Sequence, residues 1–371
     1  MTTTVEIYEH QDFYVPAFEV RLRDRKALPD SVVRDVTEVT YRDDVERIDT
    51  YQLTLNNWDA QALDFKYSDG EVFLPLTELE LWMGYYGSDP LRRMITGPIT
   101  SVQPTFAASG QPTITVEGQN LLHTLQGEKK SVAYRNMTDS EIAEAIGSRL
   151  QIAVDTDPAA KAQEERYKYV VQTADVPSIV FLLQRARRIG YEVYVGEEEG
   201  ERFLHFGPSV GVRKVAYRLT YGRSLIQFDP DLNTTDQVGQ VEVHGWDNRN
   251  KRPIRHTAKR RDLRIRGLGD DPAQARLERS FSETKELITN QPVETPQEAK
   301  TLSTEALERN AKEMLTAKGS TVGLPDLVAG SVVGVDGVGR RFSGRYFVTS
   351  TTHTIGDGGY TTRFDCRREE I

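Results

Sequence analysis

Polar and apolar positions alternate in short runs across residues 1–118. Thr4–Tyr8, Phe18–Leu22, Val33–Val39, Ile48–Leu55, Leu79–Tyr85, Ile99–Val102 and Thr113–Val116 each read as a strand. Pro29-Asp30, Asn56-Asn57, Ser68-Asp69-Gly70 and Ser109-Gly110 separate them with turn residues. Many short strands at near-regular spacing, without helical periodicity, predict a closed or sandwiched antiparallel sheet. The period changes after Gly118. Thr138-Asp139-Ser140-Glu141 has capping-box spacing, and Ile142, Ala145, Ile146 and Leu150 follow on one helical face. A second helix is expected from Asp175-Val176-Pro177, with Asp175 as N-cap and proline in the first turn. Its stripe is Ile179, Leu182, Leu183, Ala186 and Ile189, and Gly190 supplies the left-handed stop. Tyr191, Val193 and Val195 then alternate as a strand, with Phe203, Leu204 and Phe206 as its hairpin partner.

Strands return with Val215–Tyr221, Leu225–Phe228 and Val238–Gly245. Lys259–Asn290 is polar and charge-dense, and reads as an excursion with some helix. Thr295-Pro296-Gln297-Glu298 is a second capping box; Leu307, Ala311, Met314 and Leu315 form the stripe behind it, and Gly319 is expected to end that helix. Leu324 to Arg367 reads as strand–turn–strand, closed by Gly358-Gly359. The fold class is α+β, mostly β. It consists of two antiparallel β-barrel-like domains, 1–118 and 213–371, with an α/β module at 119–212 between them and a helical excursion at about 259–319. An internal echo supports the pairing of the two β regions. Gly97 to Val102 followed by Gly110 to Val116 resembles Gly344 to Ser350 followed by Gly358 to Phe364, so Ile99–Val102 should match Tyr346–Ser350.

Composition narrows the function. The 371 residues carry 47 Lys and Arg against 56 Asp and Glu, a net charge of −9, which disfavours a nucleic-acid grip. The single cysteine, Cys366, excludes a disulfide scaffold or a cysteine zinc cluster. No apolar run approaches the ~20 residues of a membrane span. The opening MTTTVEIYEH lacks the basic and apolar regions of a signal peptide, so synthesis in a reducing cytosol is expected.

Candidate chemistry is sparse. His10, His123, His205, His244, His256 and His353 show no metal-ligand spacing. His353 lies among threonines in a strand and reads as a hydrogen-bonded structural histidine; Cys366 reads as a small core residue rather than a nucleophile with His353 as base. Asp43-Asp44, Glu197-Glu198-Glu199 and Asp270-Asp271 read as solvated loop charge rather than hydrolase pairs. Gly334 to Gly339 has glycines but no following helix, so no phosphate cradle is expected. Lys259-Arg260-Arg261 with Arg264 and Arg266 is the one basic cluster, without interleaved aromatics, and reads as solvated. No catalytic, metal or cofactor site is expected.

The C-terminal pattern carries a resemblance. Gly323-Leu324-Pro325, Gly330, Phe342 to Val348 with Gly344 and Tyr346, His353-Thr354-Ile355, and Gly359-Tyr360-Thr361-Thr362-Arg363-Phe364 resemble the baseplate hub family of contractile tails. That family includes the phage late control protein D group and the hub portion of type VI secretion VgrG spike proteins. Val243-His244-Gly245-Trp246-Asp247 and the segment Thr173 to Val193 extend the likeness over roughly residues 138–371. The resemblance implies a homotrimer with two similar barrels per subunit, joining a six-fold tail tube to a three-fold spike in a virion tail or injection-particle baseplate. It implies a separate spike protein, since the chain stops at Ile371, just after the closing hairpin. A tail tube protein or tube initiator, and a LysM-type tail protein, wedge proteins and tape measure protein, are the further partners it implies, with nucleic acid at most in transit. Two other readings compete: a tail-tip peptidoglycan hydrolase, and a receptor- or glycan-binding tail module using Trp58, Trp82 and Trp246.

Overall fold

Strands near both ends of the chain meet in one sheet. The computed structural model describes residues 15–22, 26–87, 90–120, 122, 131–149, 151, 153–198, 201–209, 215–263, 276 and 279–369. The expected strand Thr4–Tyr8 lies outside these. Alternation sets the sheet faces, as in Thr50–Asn56 and Thr113–Gln119, where every second residue is buried. The chain is mostly β, as the alternation predicts. Barrel closure is not confirmed, because among the described residues no sheet closes on itself; a thirteen-stranded sheet runs through both β regions instead. Two separate apolar cores flank it. One contains Leu53, Leu55, Leu81, Ile99, Ile114 and Val116, the other Leu219, Leu225, Val335, Tyr346, Val348 and Phe364.

The two β regions share one strand plan. In chain order the first has Pro16–Leu22, Val36–Asp44, Thr50–Asn56, Glu78–Tyr85, Arg92–Thr105 and Thr113–Gln119. The second has Val215–Thr220, Leu225–Leu232, Leu315–Val322, Val332–Asp336, Gly344–Gly356 and Gly359–Arg368. Each set lies side by side in the order second, third, sixth, fifth, fourth, first. They differ in one direction: the first and fourth strands pair antiparallel in the first set and parallel in the second.

Registers agree as well. A bulge follows Ile99 in one closing hairpin and Val348 in the other. Just past it, the Thr100 hydroxyl donates to Glu117 O (3.4 Å) and the Thr349 hydroxyl to Asp365 O (3.2 Å). Ile99 exchanges backbone hydrogen bonds with Leu76 and Thr77, as Val348 does with Gly330 and Ser331. Leu76 and Gly330 both have positive φ, +68° and +80°. Ile99 therefore stands where Val348 stands, two residues along from the match the glycines suggested.

The intervening segment forms an α/β module. Helices Asp139–Arg149 and Ser178–Arg188 bury Ile142, Ile146 and Leu182 against Val193, Leu204 and Phe206 of a three-stranded sheet. The Thr138–Glu141 capping box forms. Asp175 does not cap the second helix: Pro177 takes the N-cap position without a side-chain bond, and helix geometry begins at Ser178. A satellite layer packs the hairpin Gln240–Asp247 and Arg252–Lys259 on helix Pro296–Lys312, burying Val243, Ile254, Leu302 and Leu307. That helix starts with the Thr295–Glu298 box, but it stops at Lys312 rather than Gly319. Gly319 is a strand residue paired with Phe364, whose ring occupies the space a Cβ would fill, 2.3 Å from Cζ. Val33 likewise closes the short helix Asp30–Val33 before the strand starts at Val36.

Candidate functional site

The two β regions are joined at one seam. Gly344–Gly356 pairs through its first residues with Val332–Asp336 and through Ser350–Ile355 with Val36–Asp44. The inward face of that second stretch is polar: Thr351 and His353 are buried beside Thr362 and Asp43. Buried polar groups must find partners in the protein, and these do. His353 Nε2–H donates to Leu327 O (2.9 Å), which fixes the tautomer because a carbonyl only accepts. Its Nδ1 accepts from Tyr360 Oη (3.0 Å) and Thr362 Oγ1 (3.1 Å), and Thr362 Oγ1 also accepts from Leu324 N (2.9 Å). Burial pushes the His353 imidazole down to about 3, so it is neutral.

Asp43 is the second anchor. Its carboxylate accepts from Ala329 N (2.8 Å), Thr351 N (3.1 Å) and the Thr351 hydroxyl. Burial raises it to about 6 despite those donors. Asp49, also buried, accepts from Asn120 Nδ2 (2.6 Å) and is raised by burial and then by the charge of Asp43. The reading of Asp43 as solvated loop charge is thus corrected: it closes a buried strand end. Tyr85 Oη donates to Gly323 O (3.0 Å), and Asp326 takes Arg92 and Tyr217 Oη. Side chains from both β regions therefore hold the segment from Gly323 to Gly330.

The family-motif positions fall in two places. Around the seam, Gly323 lies under the Tyr360 ring, where a Cβ would come within 2.0 Å. Pro325 follows Leu324 in a turn closed by Leu327 N–H donating to Leu324 O (2.9 Å). Gly330, Gly344 and Gly359 take φ of +80°, +150° and +87°. Tyr346 is fully buried and donates to Phe342 O (2.6 Å), while Phe364 packs on Gly319. The others sit on the satellite hairpin. Gly245 passes close to Val293 O, and Trp246 is 48% exposed. Asp247 accepts from Arg249 N and Asn250 N at the turn, which holds its carboxyl below the usual range.

Cys366 and His353, the nucleophile and base weighed from the sequence, are not paired with each other. Cys366 is buried, its thiol pushed up by burial, and it stands opposite Val348, while His353 stands opposite Thr362 with both ring nitrogens engaged. Among the described residues no group of three or more His, Cys, Asp or Glu side chains is placed to hold a metal. His10, His123, Arg264, Arg266, Glu199, Asp270 and Asp271 lie outside the described residues, as do the side chains of Glu197 and Glu198. Arg260 is not simply solvated: it stacks on Phe281 at 4.2 Å and donates to Val238 O (2.8 Å). Trp82 sits beneath Arg21 at 4.5 Å, and Trp58 meets the edge of Phe65, which meets Phe106. Among the described residues no helix is long and apolar enough to cross a membrane.

Comparison with known proteins places the fold. The 43 kDa tail protein of prophage MuSo2 from Shewanella oneidensis superposes with a TM-score of 0.69 at 14% identity, over 96% of this chain and 100% of that one. A tail protein from Neisseria meningitidis gives 0.66 at 12% identity, over 96% and 97%. An E. coli protein described as a component of the type VI secretion system gives 0.57 at 12% identity, over 94% and 76%. The chain thus has the fold of these tail proteins. No curated protein matches it in sequence. A family model described as the Alg8 N-terminal domain matches residues 20–357, and the chain belongs to that family.

Proposed function

We propose that the chain is the structural baseplate hub of a phage tail or phage-like contractile injection system. In this reading three copies form a ring that seats the tail tube on one side and a separate spike protein on the other. The observation that carries it is the repeated strand plan: two β regions of one topology, fused edge to edge, within a fold shared end to end with phage tail proteins. Three such chains present six similar β regions to a six-fold tube while keeping three-fold symmetry for a spike. A tube initiator, a LysM-type tail protein, wedge proteins and tape measure protein are the further contacts this position entails, and any nucleic acid only passes through. The chain works without turnover. Its buried seam, where His353, Thr362 and Asp43 each have hydrogen-bond partners, would serve to keep the two regions joined. Residues 1–118, 119–212 and 213–371 are the proposed domains, and the glycine, aromatic and histidine positions around the seam are proposed to fix their geometry.

Light scattering on the hub co-expressed with its spike tests this. The expected mass is three hub chains per spike assembly. A hub that binds the spike as a stable monomer contradicts the proposal. Purified protein that clears cell-wall substrate, and loses that activity in His353→Gln or Cys366→Ser, would instead establish the hydrolase reading.

A further inference from the structure

The repeated plan leaves one seam made and its counterpart open. Within the chain, the fifth strand of the second region (Gly344–Gly356) pairs with the second strand of the first (Val36–Asp44). The equivalent elements are the fifth strand of the first region, Arg92–Thr105, and the second strand of the second region, Leu225–Leu232. No described strand pairs with the outer side of Ser101–Thr105, and Leu225–Leu232 ends the large sheet. We propose that the edge Ser101–Phe106 of one copy pairs antiparallel with the edge Phe228–Asn233 of a second copy, in the register of the internal seam. The inference rests on the ring reading above and names the surfaces that make the ring.

The register transfers residue by residue. Matching bulges after Val36 and Leu225 set Asp43 equivalent to Leu232 and Tyr41 to Pro230; those after Ile99 and Val348 set Val102 equivalent to Thr351 and Pro104 to His353. The internal pairs Thr351–Asp43 and His353–Tyr41 therefore become Val102–Leu232 and Pro104–Pro230 between copies, with Phe106 opposite Phe228. All three pairs are apolar and share one face. The alternate pairs, Ser101–Asn233, Gln103–Asp231 and Thr105–Asp229, are polar, without like charges opposed. A slip of one residue would set Val102 against Asp231 or Asn233 and mix the faces.

Two further features bear on this pairing. Pro230 and Pro104 cannot donate into a ladder, and each stands at an outward position of its strand, where proline is tolerated. Opposed to each other they give up both bonds of that one rung, so the backbone bonds of the flanking Val102–Leu232 and Phe106–Phe228 rungs must hold the ladder there. The polar lock is also dismantled in a concerted way. At the internal seam Asp43 takes the N–H of Ala329 and both donors of Thr351. At the open one the acceptor becomes Leu232, Thr351 becomes Val102, and Ala329 becomes Pro75, which has no N–H. The acceptor, the hydroxyl and the Ala329 N–H disappear together while the backbone N–H of Val102 stays for the ladder, leaving an apolar joint beside Leu74 and Leu76, which are 45% and 80% exposed in the single chain. Since each chain carries one edge of each kind, the contact is head-to-tail and closes a ring when the rotation allows.

Cysteine pairing tests it on the full chain. Gln103→Cys with Asp231→Cys should, on mild oxidation, deplete the monomer band on a non-reducing denaturing gel and give a ladder of covalent oligomers. Mixing the two single variants should stop at a dimer. Gln103→Cys with Asp229→Cys, out of register, should link more slowly. An oligomer by light scattering that does not link through 103 and 231, or links equally well through 103 and 229, overturns the proposed seam and leaves the ring standing. A chain that stays monomeric and unlinked at every concentration overturns both.

Discussion

Asp43 and His353 carry opposite pH dependences within a few residues of one another. Asp43 is raised to about 6, so between the usual carboxylate range and pH 6 the folded chain holds a proton that the unfolded chain has lost. Its contribution to stability therefore falls as pH rises through that window. His353 is lowered to about 3, so between pH 3 and about 6.5 the unfolded chain holds a proton that the folded one does not. Its contribution rises with pH over an overlapping window. In wild type the two slopes partly offset one another, worth in full up to roughly 3 kcal/mol for Asp43 and roughly 5 kcal/mol for His353. Asp43→Asn should leave the histidine slope and steepen the loss of melting temperature toward pH 4. His353→Gln should tilt the profile the other way. Melting profiles of both variants that run parallel to wild type from pH 4 to 6 would show that neither group titrates as its burial requires. A chain reading could place His353 among hydrogen-bonding threonines, since strand alternation alone puts Thr351, His353 and Ile355 on one face. It could not show that Asp43 is buried. An Asp-Asp pair before Arg47 looks solvated until a strand 308 positions away brings Thr351 over it.

At the scale of elements, the closing hairpin gives the sharpest contrast. Asp357 and Gly358 form the turn and Gly359 follows at φ +87°, a turn closed by a left-handed glycine. Gly358 has no such φ, and a Cβ there meets open space. Gly359→Val should therefore cost ~1–3 kcal/mol through backbone strain, while Gly358→Ala should stay within ~0.5 kcal/mol. Phe364→Ala empties the space over Gly319 and should cost ~3–5 kcal/mol. Chemical denaturation of the three variants checks these magnitudes, and equal effects at 358 and 359 would contradict the turn geometry. Both capping boxes were legible because their signal is local: four residues satisfy each other's amides. Helix ends were not. Gly319 reads as a stop only until Phe364 is known to lie across it, and Pro177 displaces Asp175 from the cap by fixing the backbone two residues later.

For the whole molecule, the repeated strand plan explains why the echo between Gly97–Val116 and Gly344–Phe364 was visible yet misaligned by two residues. Turn glycines dominate a sequence comparison, whereas bulges and ladders set the structural match. Packing also differs rung by rung between the regions: Tyr51 over Gly118 stands where the second region has Ala317 beside Cys366, and Gly319 under Phe364 where the first has Leu53 beside Val116. Such compensated packing hides a repeat from sequence. The pairing of Val36–Asp44 with Gly344–Gly356 was hidden for the same reason, since long-range sheet contacts leave no local pattern. Electron microscopy of the hub co-expressed with its spike tests the central claim most directly. Class averages down the particle axis should show a three-fold ring of six similar lobes around a central passage. A closed ring with another symmetry, or particles with a single hub chain on each spike, would contradict the account.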